Sequence, residues 1–189
     1  MMGEQFPALA LEPRESVTQR LIDRLQEAKL DIAIVALPIS EPTLQEFTLF
    51  DEDFVLVRPM NQADDPVPSP LGLQSMRLLL LEEGHCFRDQ ALSFCQTSDQ
   101  TSHDLMEGSS LTTLVQMVSA GIGVTLVPEM ALPLEVRSAD ISLARFDKPS
   151  PSRRIGMVWR KTNPLSDRFV EIGEAIKHAG LDQLRTSFS

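Results

Sequence analysis

The chain predicts an α/β fold divided into two lobes, and three observations carry that expectation. Segments rich in β-branched residues alternate with segments of helical apolar spacing through most of the 189 residues. The apolar run from Ile32 to Ile39 is continuous rather than alternating, as in strands covered on both faces. Prolines gather at Pro66, Pro68 and Pro70, and the character of the sequence shifts near Phe50 and again near Arg153. The chain is therefore expected to cross between lobes twice. Residues 1–51 with 155–189 would form one lobe, and residues 52–154 the other.

The elements follow in order. Phe6 to Leu11 alternates loosely and reads as a strand. Pro13 to Lys29 reads as an amphipathic helix, because Val17, Leu21, Ile22, Leu25 and Ala28 recur three and four positions apart. Leu30 to Leu37 is a buried strand closed by Pro38. Strand, helix and apolar strand suggest a parallel unit, and the whole pattern argues for mainly parallel strands. Phe47 to Phe50 and Asp53 to Arg58 read as two short strands around Asp51-Glu52. Asn61 to Pro70 is a loop, and Met76 to Leu81 a buried strand. His85 to Gln96 is compatible with a helix entered through Gly84, and Thr97 to Glu107 is polar and irregular. Ser110-Leu111 opens a helix with Leu114, Val115 and Val118 on one face, closed by Gly121 and Gly123. Val124 to Val127, Ile141 to Phe146 and Ile155 to Arg160 are strands. Asp167 to Ala179 is a final helix whose apolar face carries Phe169, Val170, Ile172, Ala175 and Ile176.

A formal net charge of -10 argues against holding nucleic acid by a basic surface of this chain. The first residues carry no basic region followed by an apolar one, so no secretory signal is expected. The longest apolar run is too short for a bilayer, so no membrane partner is expected. The two cysteines, in a chain read as cytoplasmic, point to transient rather than structural disulfide chemistry.

Those cysteines, Cys86 and Cys95, are the most informative residues. His85 precedes Cys86 and Arg88 follows two positions on, and both groups can stabilise a thiolate. A helix starting at Cys86 would add free N–H groups and the positive end of its dipole. Two readings remain open: a reactive thiol, or a small buried apolar residue, the usual fate of a free cysteine. Cys95 lies nine residues on. In one continuous helix the two would sit on opposite faces, about 13.5 Å apart along the axis at roughly 1.5 Å per residue. A disulfide needs Cα atoms within about 7 Å. Either the helix never covers both positions, or bonding them unwinds it.

Other candidates are weaker. His85, Cys86, Cys95 and His103 lack the spacings of a zinc site, so no metal and no cofactor are expected. Ala120 to Val124 looks like a phosphate loop but follows a helix and precedes a strand, so a tight turn is the better reading. His178 reads as a solvent-facing residue near a helix end. Asp64-Asp65 and Glu82-Glu83 read as solvated surface charge.

Gly84-His85-Cys86-Phe87-Arg88-Asp89-Gln90-Ala91 followed by Phe94-Cys95 resembles the redox segment of the OxyR family, peroxide-sensing transcriptional regulators of the LysR type. Leu30-Asp31, Ser110 to Leu114, Ala120 to Pro128 and Arg153 to Val158 extend the likeness over nearly the whole chain from Phe6. The glycine turn is common to LysR-type effector domains in general, whereas the His-Cys segment is specific. The resemblance implies a two-lobe effector-binding domain similar to periplasmic binding proteins, and a regulator rather than an enzyme. It implies that hydrogen peroxide oxidises Cys86 to sulfenic acid and that Cys95 resolves it to a disulfide, with refolding that alters the oligomer and its DNA binding. It places His85, Arg88, Asp89, Arg153 and Thr18 around the peroxide pocket. It further implies a dimer of this piece, a tetramer of the full-length protein, promoter DNA bound through a DNA-binding domain absent from this chain, and a thiol reductant such as glutaredoxin. The first strand and helix of the family's regulatory domain have no counterpart here. Two other readings stand beside it: a LysR-type domain that binds a small metabolite with inert cysteines, and a thiol peroxidase, for which no C-x-x-C pattern is present.

Overall fold

The computed structural model of the chain describes residues 9–82, 86–94, 106–137 and 139–186. Helix α1 (Thr18–Gln26) buries Ile22 and Leu25 against strand β1 (Ala33–Leu37). It is shorter than the sequence pattern. Ala28 takes φ 59°, the left-handed conformation that ends helices, and the Lys29 amide turns back to the Arg24 carbonyl at 2.9 Å. Residues 9–17 form no regular element, so the described part of the expected first strand is not one.

Strand β2 (Leu44–Pro59) is the spine of the molecule. Its first half, Leu44 to Asp53, pairs antiparallel with β7 (Ser152–Arg160). Its second half pairs antiparallel with β5 (Thr125–Pro128) on one side and β6 (Ile141–Arg145) on the other. The two short strands expected around Asp51-Glu52 are one continuous strand. These acids lie inside the ladder opposite Arg154 and Arg153, so their charges are matched across the strands rather than solvated at a bend.

The strand order is β1-β7-β2-β5 with β6 also on β2, and every one of those pairings is antiparallel. This corrects the expectation of mainly parallel strands. Among the described residues, parallel pairing is confined to β3 (Leu79–Leu81) with β4 (Met106–Gly108) and to a bridge between Leu78 and Val124. The misreading has a physical cause. A continuous apolar run speaks to coverage, not to which way a neighbour runs. In β1, α1 covers one face, while Ile34 on the other is 51% exposed at the border of a cavity.

Three apolar clusters hold the fold. One gathers Phe54 to Val57 of β2, Leu79 to Leu81, Ala91 and Leu92 of α3 (Cys86–Phe94), Leu114, Val115 and Val118 of α4 (Leu111–Ser119), and β5. The other two lie on opposite faces of the β1–β7–β2 sheet. Met157 and Trp159 meet Phe169 and Ile172 of α6 (Ser166–Thr186), while Val158 between them meets α1, the two-residue alternation of a strand. Trp159 and Phe169 pack edge to face with centroids 5.8 Å apart. Phe94, the last residue of α3, packs edge to face on Phe146 at 5.4 Å.

The glycine turn after α4 is a Schellman closure. Gly121 takes φ 75°, its amide returns to Val118 and that of Ile122 to Met117. Ser110 caps the other end, its hydroxyl accepting from the Thr113 amide at 3.2 Å. No helix among the described residues is long and apolar enough to cross a membrane.

Candidate functional site

Strands β2 and β7 cross from one apolar cluster to the other side by side. The crossing is closed by the Phe54 amide donating to the Pro151 carbonyl at 2.9 Å. Around it lie three successive ion pairs. Arg154 reaches Asp51 with Nε at 2.8 Å and Nη2 at 3.2 Å. Arg153 Nε donates to Glu52 Oε2 at 2.7 Å. Lys148 Nζ donates to Asp53 Oδ2 at 2.6 Å. The hydrogen bond from Arg154, with its charge, holds the Asp51 carboxyl below the ordinary carboxylate range against a smaller opposing effect of burial.

Two cavities flank the crossing. One of about 560 Å³ is bordered by Thr18, Ile34, Glu52, Leu81, Met130 and Arg153. The other, about 760 Å³, lies between α1 and α3 and is bordered by Thr18, Gln19, Pro38, Gln90, Ser93 and Phe94. Thr18 borders both. The structure thus brings together Thr18 and Arg153, which are far apart in sequence, beside the end of β3.

Helix α3 begins at Cys86 and ends at Phe94. Its inward stripe is Arg88, Ala91 and Leu92, all buried. Arg88 Nη1 donates to the Leu81 carbonyl at 3.2 Å and to Glu107 Oε1 at 2.7 Å, which ties the helix to β3 and β4. Its anchoring role was not legible in sequence, where it read only as a neighbour of a thiol. His85, Cys95 and His103 lie outside the described residues, as do the side chains of Cys86 and Asp89. Among the described residues no group of three or more His, Cys, Asp or Glu could hold a metal. His178 is exposed, its Nδ1 2.6 Å from the Glu174 carbonyl.

Sequence reasoning missed Glu52 and the cleft residues Gln90 and Ser93. The signal for Glu52 was there: an acidic run inside a β pattern, with paired arginines a hundred residues on. For Gln90 and Ser93 it was the outward stripe of α3.

The model of the LysR substrate binding domain matches residues 2–180. A probable hydrogen peroxide-inducible genes activator of Mycobacterium avium is 38% identical over 179 residues, covering 93% of this chain and 57% of that protein. The chain therefore spans just under three fifths of that relative. Among solved structures, a mutant OxyR of Corynebacterium glutamicum with H2O2 bound superposes with a TM-score of 0.87 at 31% identity, covering 98% of this chain and 60% of that one. The reduced OxyR regulatory domain of Pseudomonas aeruginosa gives 0.78 at 33% identity, covering 93% of this chain and 86% of that one.

Proposed function

The chain belongs to the LysR substrate binding domain family, and from that premise we propose that it is the redox-sensing regulatory domain of a hydrogen-peroxide-responsive transcriptional activator. The observation that carries this reading is the start of α3 at Cys86, on the helix whose Gln90, Ser93 and Phe94 border a cavity shared with Thr18, which in turn also borders the cavity of Arg153. The first turn of a helix supplies free N–H groups and a positive dipole end, both of which favour a thiolate. By helical periodicity, position 86 falls on the stripe of positions 90, 93 and 94, which border the larger cavity.

The chemistry proceeds in two displacements. The Cys86 thiolate attacks one peroxide oxygen, the O–O bond breaks, and the departing hydroxide takes a proton to leave as water. Cys86 is then a sulfenic acid. Cys95 thiolate attacks that sulfur, expels its oxygen as a second water after protonation, and forms the disulfide. Two thiols and one peroxide give one disulfide and two waters. Arg153 and Thr18, with His85, Arg88 and Asp89, would steady the thiolate and the leaving oxygen. Joining the thiols would rebuild α3, and that rebuilding would be the signal to the oligomer and to promoter DNA held through the rest of a longer protein. Residues 1–51 with 155–189 and residues 52–154 would be the two lobes, in keeping with the change of β2 partners after Asp53. A cytoplasmic setting and a thiol reductant such as glutaredoxin complete the cycle.

The test is to treat the chain with near-equimolar hydrogen peroxide and map its thiols by mass spectrometry. A Cys86–Cys95 disulfide is expected, with Cys95→Ser stopping at sulfenic acid on Cys86. Both thiols remaining reduced while peroxide persists would sink the reading. The cavity of about 760 Å³ favours a second reading, a domain that binds a small metabolite with inert cysteines. In that case Cys86→Ser would leave the response to the effector intact.

A further inference from the structure

Glu52 is 1% exposed, and its carboxylate is fully spent. Oε2 accepts from Arg153 Nε at 2.7 Å, and Oε1 accepts from the Met130 amide at 2.8 Å. Removing a carboxylate from water costs several kcal/mol, so such a group is held only where charge and hydrogen bonds offset it. Simple strand pairing would not need this. The neighbouring pair, Asp51 and Arg154, makes the same cross-strand contact in the open, with both side chains 57% exposed.

The two arginines are also gripped differently. Asp51 takes both an Nε and an Nη hydrogen bond, so the fork of Arg154 is occupied by its own carboxylate. Glu52 takes only Nε of Arg153. Among the described residues neither Nη of Arg153 has a hydrogen-bond partner. Those donors belong to a side chain that borders the cavity of about 560 Å³ together with Thr18. The Met130 amide ties the same carboxylate to the segment after β5, so Glu52 is fixed from two elements at once.

We propose that Glu52 is a positioning residue for the peroxide reaction: by holding Arg153 through Nε alone, it leaves the paired Nη donors aimed for the oxygens of the substrate. This rests on the peroxide-sensing reading above and deepens it. Donors fixed before the reaction need no reorganisation as charge develops on the leaving oxygen, and misplacing them by an ångström costs large factors in rate.

The experiment is a double-mutant cycle on the rate of Cys86–Cys95 disulfide formation at low peroxide, with thermal unfolding of each variant as a control. Glu52→Gln keeps the shape and one acceptor, and should slow the reaction between about ten- and a hundredfold. Arg153→Ala should slow it at least as much. The double variant should react no more slowly than Arg153→Ala, because Glu52 acts only through the arginine. If Arg153→Ala does not fold with Glu52 left unpaired, Arg153→Lys closes the same cycle. A Glu52→Gln rate equal to wild type, or losses that multiply in the double variant, overturns the positioning role while the sensor reading stands. An Arg153→Ala variant as fast as wild type likewise overturns this proposal while the sensor reading stands, whereas a wild-type chain that forms no disulfide removes the parent reading and this proposal with it.

Discussion

Gly180 and Gly173 show how closely single positions are specified. A Cβ at Gly180 would enter the Phe50 ring, and one at Gly173 would lie 2.8 Å from Phe47 Cε1. Helix propensity argues for alanine by about 1 kcal/mol. Overpacking a filled site costs about 1–3 kcal/mol, and Phe50 is only 9% exposed with little room to yield. The second effect should win. Gly180→Ala is expected to lower stability by about 1–2 kcal/mol in urea unfolding; a more stable variant would mean that α6 can ride up off the sheet. Arg153 and Arg154 make the same point about function. They are adjacent and identical in type, yet one spends both sides of its guanidinium on a surface carboxylate and the other gives its carboxylate only Nε, with no partner for either Nη among the described residues.

Among elements, the β2–β7 ladder has a pH signature. The folded pKa of Asp51 lies below its unfolded value, so its contribution is complete above the ordinary aspartate range near pH 4 and fades as pH falls through the folded value. Arg154 stays protonated throughout, its pKa raised further by the hydrogen bond it donates to Asp51. Asp51→Asn should therefore lower stability slightly near neutrality, leave it unchanged at the lowest pH, and so flatten the acid limb of a stability–pH curve below about pH 5. Because the pair is exposed, the effect should be small and should shrink in salt. An acid limb unchanged by the substitution at low salt would remove the pair from any stabilising role. Helix α3 carries a second expectation. Hydrogen exchange at residues 88–94 should be slow in the reduced chain and fast after peroxide, and equal protection in both states would leave the disulfide without a structural readout.

These elements also show what a sequence can express. The helix that became α3 and the glycine closure after α4 were legible because helical spacing and turns are local chemistry. Strand direction was not, since an apolar run records coverage and nothing else. Glu52 was read as lying between two strands because its partner is 101 residues away, and burial of a charge is visible only when both partners are placed. The roles of His85, Cys86 and Cys95 came through resemblance rather than through periodicity or spacing.

At the scale of the whole molecule, the two arms of β2 and the return of β7 make one paired crossing, with cavities on its flanks and α3 bordering the larger. Phe94 ends α3 one residue before Cys95, and its ring rests edge to face on Phe146. On the proposed chemistry, rebuilding α3 would lift that ring away. The contact would then act as a threshold: work done in unseating Phe94 would be subtracted from the driving force of disulfide formation. An aromatic pair contributes about 1 kcal/mol beyond its buried area. For a two-electron couple that corresponds to roughly 20 mV. Phe146→Leu keeps an apolar neighbour and removes the ring, so it should shift the reduction potential of the thiol pair by about 10–30 mV toward easier oxidation, read by equilibration against a thiol buffer. The alarm level of the domain would thus be written in a ring contact that touches neither sulfur.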